Sequence, residues 1–180
     1  MSRDAEVSIS PYQCDWPSKF EAERRLLEMA LAPWLCGHIE HIGSTAVPGL
    51  AAKPVIDLMA ATEALDTVAS VEQEIFDLGY RRIEVGMPER LFYRREGEPV
   101  SHHLHVVTVA SWDGRNERLL RDHLRRHPGD RADYARLKRE LAGAGLSGDD
   151  YTRAKTALVQ RMVDTARSGL GLPLVDVWET

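Results

Sequence analysis

The chain has 180 residues, of which 43% are hydrophobic and 28% charged, and its formal net charge is −5 at pH 7. That length suits one domain able to bury a core without cross-links. The acidic balance argues against a dedicated nucleic-acid binder, which ordinarily presents a basic surface. Cys14 and Cys36 offer no disulfide framework, no apolar run approaches a membrane span, and the first residues carry acids with no apolar stretch. A cytoplasmic protein with no membrane and no nucleic-acid partner is expected; the oligomeric state stays open.

In chain order, residues 1–14 read as an irregular or strand-like lead-in, with Val7 to Ser10 alternating. Asp15-Trp16-Pro17 opens a helix, and Leu27, Ala30, Leu31 and Trp34 recur at helical spacing to about Leu35. Residues 36–42 have strand character, 43–54 read as a loop punctuated by Gly and Pro, and Val55 to Ala60 suits a buried strand. Leu65, Val68, Val71, Ile75 and Leu78 mark one helix that Gly79 caps. Strands are expected over 80–85, 90–95 and 102–109, then helices over 115–126, 130–142 and 149–167. The layout implies an α/β (α+β) fold: a mixed β-sheet core at about 36–110 and a C-terminal helical lobe at about 114–169, all within one domain spanning 1–180.

The densest chemistry lies between His41 and Asp57. Gly43 lets a ligand approach the backbone, and Ser44 and Thr45 add hydroxyls at a turn where free N–H groups favour phosphate or carboxylate. Lys53 supplies a point charge nearby. Asp57 interrupts an apolar strand, where a lone carboxylate is costly, so it must meet a cation, a metal or several donors. The bland alternative is an ordinary turn, with Asp57 paired to Lys53 or capping a helix. Of His38 and His41, opposite faces of a strand allow one at most to point inward, and His41 is favoured because it directly precedes the loop.

His103 and His105 share one face of a strand, with Leu104 and Val106 on the other. Imidazoles at i and i+2 can converge on a cation, contact a phosphate, or act as acid and base near neutral pH. With Asp57 they would make a two-histidine, one-carboxylate set if the strands are adjacent. In the helical part Tyr151 and Lys155, four apart, share a helix face. They, with Arg121, Arg125, Arg126 and Arg161, read either as a lid over a ligand or as a solvated charged face. Tyr93 and Arg94 are weaker additions.

The run EHIGSTAVPGLAAKPVIDLM, ending at Met59, resembles the signature of the GrpB family. Further along, SHHLHVV, LLRDHLRRHP, DYARLKREL and DDYTRAKTALV resemble later blocks of that family in the same order. The resemblance implies a polymerase-β-like nucleotidyltransferase fold, a Gly43-Ser44 turn holding nucleotide phosphate, and Asp57 holding a divalent metal (Mg, Mn or Zn). Tyr151 and Lys155 lie in one of its recurring segments. A nucleotidyltransferase of that kind carries a second acid two residues after the first, where this chain has Met59, which cannot ligate Mg²⁺. The expectations are therefore graded by chemistry. Asp57, His103 and His105 are candidate catalytic and metal-holding residues. Gly43, Ser44, Thr45, Lys53, His41, Tyr151 and Lys155 are candidate contacts to a nucleotide or phosphorylated small molecule. Nucleotidyl transfer, ligand binding without turnover, and metal-dependent hydrolysis all remain open.

Overall fold

The computed structural model of the protein describes residues 8–146 and 148–177, and the part of the expected lead-in at 1–7 lies outside them. Ser10 forms an isolated antiparallel bridge to Ala52. Helix α1 spans Trp16–Leu31, and its buried residues Trp16, Phe20, Glu23, Leu27 and Leu31 fall on one face at helical spacing. Strand β1 (Glu40–Ile42) starts later than the sequence implied, after a 3₁₀ turn at Ala32–Trp34. A second 3₁₀ turn, Ser44–Ala46, precedes β2 (Val55–Thr62).

The helix expected over 65–78 is two, α2 (Leu65–Ala69) and α3 (Glu72–Asp77), because Val71 between them leaves helical geometry with φ −122° and ψ 22°. The strand expected over 80–85 shrinks to β3 (Arg81–Arg82), followed by β4 (Arg90–Arg95) and β5 (Ser101–Thr108). Helices α4 (Asn116–Arg126), α5 (Pro128–Gly143), α6 (Gly148–Ala154) and α7 (Thr156–Gly169) complete the chain, so the helix expected over 149–167 breaks at Lys155. No helix among the described residues is long and apolar enough to cross a membrane.

The five strands form one mixed sheet in the order β1-β2-β5-β4-β3, in which only β2 and β5 run parallel. Side chains alternate along each strand, so the sheet has two chemically different faces. One face sends Ile56, Leu58, Ala60, Leu104 and Val106 into a core with Trp16, Phe20, Leu27, Leu31, Val68 and Ile75 from α1 to α3. Burying each such side chain contributes roughly 1.5–3 kcal/mol. The other face carries Asp57 and Met59.

The loop between β1 and β2 is gripped from the far side. Val47 and Leu50 are fully buried among Leu124, Tyr134, Val159, Met162 and Val163 of α4, α5 and α7. Arg125 of α4 adds two hydrogen bonds to the Ala46 carbonyl at 2.7 and 3.0 Å. Packing of the helical lobe thereby sets where the Gly43-Ser44 turn sits.

Candidate functional site

Parallel pairing of β2 with β5 places Asp57 directly across from His103, and Met59 across from His105. Nδ1 of His103 lies 3.1 Å from Asp57 Oδ1, and Nε2 of His105 lies 3.7 Å from the same oxygen. Arg90 of β4 fixes the outer imidazole. Its guanidinium is always a donor, so its 2.9 Å contact to His105 Nδ1 makes that nitrogen an acceptor and leaves the proton on Nε2, facing Asp57. Arg90 also pairs with Glu117 of α4 at 2.6 Å, and Phe92 packs its ring against both imidazoles. Burial works to raise the Asp57 carboxyl, but hydrogen bonds from His103 and His105 outweigh it and hold it well below the usual carboxylate range. Burial likewise lowers His105, against the pull of Asp57. Asp57 is an anion at neutral pH.

Gly43 meets this carboxylate edge-on. It adopts φ +73°, and a Cβ there would lie 2.4 Å from Asp57 Oδ2. The glycine is required both by its backbone and by the acid against it.

On the lobe side Lys138 reaches the same turn, with Lys155 and then Lys53 gathered beside it. Lys138 of α5 is buried, with Nζ 3.0 Å from Ser44 Oγ and 2.5 Å from the Ala51 carbonyl. Tyr134, one helical turn earlier, shares a hydrogen bond with Ser44. Lys155 stands over the Tyr151 ring at 4.3 Å, Lys53 over the same ring at 5.4 Å, and Lys138 over Tyr134 at 4.7 Å. Burial, then the charges of Lys155 and Arg139, lower Lys138 to about 7. Burial, then Lys53, lower Lys155 to about 8, with Asp57 opposing. Lys53 is lowered by burial and by Arg94. Among the described residues Asp57 is the one carboxylate acting on Lys53 and Lys155, and burial and neighbouring cations act on Lys138. The Tyr151 hydroxyl is buried and without a hydrogen-bond partner.

The expected residues separate into two groups. Gly43, Ser44, Lys53, Asp57, His103, His105, Tyr151 and Lys155 surround one corner. Thr45 and His41 do not. Thr45 is 1% exposed and donates to the Val55 carbonyl at 2.8 Å, so His41 Nε2, 3.0 Å away, must donate to Thr45. The His41 ring stacks on Phe20 of α1 at 4.6 Å, on the face away from Asp57, and burial lowers it to about 4. It is a neutral packing residue. Tyr93 also lies on that opposite face, donating to Glu72 at 2.7 Å. Arg121 of α4 is spent on Glu40 at 2.6 Å and on the His41 carbonyl at 3.0 Å, and Arg125 on Ala46, so they anchor the loop and form no lid. A hollow of about 600 Å³ beside the β1 edge, near His38 and His41, is lined by Arg24 and Arg121. These two are already paired with acids, and Arg125, which also lines it, is held by the Ala46 carbonyl.

The donors do not fit a divalent metal. Among the described residues no group of three His, Cys, Asp or Glu side chains stands close enough to share an ion. Arg90 ties up one nitrogen of His105 and protonates the other. Met59 is fully buried with Ile42 and Val107 against Trp112, so the position of a second acid is an apolar site. Lys138 and Tyr134 escaped the sequence reading. Their signal is a repeated spacing, Tyr134 with Lys138 and Tyr151 with Lys155, each pair four residues apart.

Fold and site together define a class: a mixed α+β protein in which a carboxylate, two imidazoles and three lysines meet at a glycine-serine turn. Residues 6–165 match the family described as GrpB protein, and the chain belongs to that family. It is 34% identical to a UPF0157 protein of Pseudomonas aeruginosa over 96% of this chain and 72% of that one. It is 32% identical to the UPF0157 protein YqkA of Bacillus subtilis over 90% of this chain, and spans only 48% of that relative's length. The crystal structure of the conserved protein GrpB from Enterococcus faecalis superposes with a TM-score of 0.82 at 31% identity, covering 91% of this chain and 99% of that one. A chain of the GLD-2/RNP-8 complex shares the fold alone, with a TM-score of 0.56 at 15% identity over 87% of this chain and 61% of that one. The dephospho-CoA kinase of Mycolicibacterium paratuberculosis is 30% identical over 75% of this chain and 39% of its own length.

Proposed function

We propose that this protein binds a nucleotide or another phosphorylated small molecule on a nucleotidyltransferase-like scaffold, with the phosphate at the Gly43-Ser44 turn beneath Lys53, Lys138 and Lys155. One observation carries the reading: three lysines are gathered beside the turn, and among the described residues Asp57 is the one carboxylate that counters Lys53 and Lys155, while burial and neighbouring cations act on Lys138. Crowded like charges in a partly buried corner are costly, and an incoming anion offsets that cost. Tyr151 adds an aromatic edge and a hydroxyl awaiting a partner. The dephospho-CoA kinase among the relatives supports a ligand that combines a nucleotide with phosphate.

Ligand binding without nucleotidyl transfer is the form of this reading that Met59 favours, since the position of a second metal-holding acid is filled by buried apolar packing. The test is titration calorimetry at pH 7 with ADP, ATP, dephospho-CoA and inorganic phosphate, each with and without Mg²⁺. Binding of at least one, weakened about tenfold or more by Lys53→Ala and by Lys155→Ala, is expected for a charge-assisted phosphate contact. Failure of all four to bind the wild-type protein overturns the reading.

A further inference from the structure

We propose that Ser44 is an activated nucleophile, with Lys138 as its general base and Tyr134 hydrogen-bonded beside it, acting on esters or thioesters of anionic small molecules. The geometry is that of a serine–lysine pair. Lys138 Nζ donates to Ser44 Oγ at 3.0 Å and to the Ala51 carbonyl at 2.5 Å; when the ammonium loses a proton, the carbonyl still takes an N–H and a lone pair is left for the hydroxyl. Ser44 is half-buried, while Lys138 is 2% exposed. A base must be within hydrogen-bond reach of its proton and neutral at the working pH.

Lys138 meets the second condition through its surroundings. Arg139 and Tyr134 face it from its own helix, Lys155 from the junction of α6 and α7, and Ser44 from the loop, with Lys53 and Asp57 beyond Lys155. No acid among them acts on it, and burial with two neighbouring cations brings it to about 7. The Tyr134 phenol is pushed up to about 12 by burial, against the hydrogen bond it shares with Ser44, so it stays protonated throughout the neutral range.

The chemistry balances without a cofactor. The Ser44 hydroxyl proton passes to Lys138 while Oγ bonds to the acyl carbon. Collapse of the tetrahedral adduct breaks the bond to the alcohol or thiol, which leaves with the proton from Lys138. Water, deprotonated by the same amine, then releases the carboxylic acid and restores Ser44. The class of substrate rests on the anion-binding reading above; the nucleophile itself does not.

The test uses a fluorophosphonate probe on the whole protein, read by intact mass and peptide mapping. Labelling forms an O–P bond at Ser44 and releases fluoride as the hydroxyl proton moves to Lys138. We expect one label, at Ser44, with a rate that rises about tenfold per pH unit below pH 7 and levels off above it, as loss of a single proton from the base requires. Lys138→Met slows it by on the order of a hundredfold and Tyr134→Phe by roughly tenfold. No label at Ser44 in folded wild-type protein, a label placed elsewhere, or a rate indifferent to pH and to Lys138→Met overturns the proposal. The wild-type pH profile stands even if a variant fails to fold. Because the probe carries no nucleotide, its outcome is independent of the calorimetry with ADP and phosphate.

Discussion

Replacing Gly43 by alanine tests the contact that fits the turn to the acid, and Gly49→Ala supplies the control within the same loop. Both glycines have positive φ, +73° and +77°, but a Cβ at Gly49 meets nothing within 4 Å whereas one at Gly43 meets Asp57 Oδ2 at 2.4 Å. An L-residue at positive φ costs about 1–2 kcal/mol in the left-handed helical region and up to about 3 kcal/mol at Gly43, whose ψ of −174° lies where glycine is nearly obligatory, partly offset by about 0.4–1 kcal/mol of lost unfolded-state entropy. Gly49→Ala should therefore cost roughly 1 kcal/mol or less. At Gly43 the carboxylate must also move, and it is held by His103 at 3.1 Å. Losing a hydrogen bond to a charged group adds about 1.5–3 kcal/mol. Gly43→Ala should thus destabilise by about 2–4 kcal/mol, lowering the melting temperature by on the order of 5–15 °C for a chain of this size. Chemical denaturation of both variants reads the difference directly. Equal losses at the two positions would refute the close approach of Asp57 to the turn.

Further outcomes follow from the same geometry. Met59→Asp restores the second acid of a metal-binding pair to a fully buried apolar site. It should cost about 3 kcal/mol or more in denaturant melts, with no rescue by Mg²⁺, Mn²⁺ or Zn²⁺, and metal rescue would show that the strand can hold an ion after all. Lys138, near 7 when folded against an ordinary 10.5, binds fewer protons folded than unfolded between those values. Wild-type stability should accordingly rise with pH from about 7 to 10 at this site, and Lys138→Met should stabilise on the order of 3 kcal/mol at pH 6 with the gain fading toward pH 10. A gain independent of pH would argue that Lys138 keeps its charge. Heteronuclear NMR of the imidazoles should find His105 protonated on Nε2, and Arg90→Ala should release that tautomer; an Nδ1–H form in the wild type would undo the argument built on Arg90.

Much of the site was legible because a strand has a period of two. That period put His103 and His105 on one face, and β2 beside β5 needed only their adjacency to bring Asp57 against them. Asp57 itself was conspicuous as an acid in an apolar run. His41 misled for the same reason that it looked attractive: it precedes the turn by two residues, but its alternation with Ile42 sends it to the α1 face, where Phe20 covers it. Lys138 was hidden by its helix. Nothing in the charged run around it distinguishes a lysine aimed at Ser44 from one in solvent until α5 docks on the loop. The helix breaks at Ser70–Val71 and Lys155 were equally silent, since both fall inside unbroken helical spacing without glycine or proline to mark them.

An anion that completes the lysine corner must take up protons as it binds, and proton uptake measures that most directly. At pH 8, Lys138 near 7 is largely neutral and Lys155 near 8 is half charged. An anion that recharges both should draw in about 1 to 1.5 protons per site, and affinity should fall by roughly 500-fold between pH 7 and 9. Calorimetry with ADP at pH 8 in buffers of different ionisation enthalpy gives the number. Uptake near that value, lost in Lys138→Met with Lys155→Met, is the predicted result; ADP binding with no net proton exchange would contradict it.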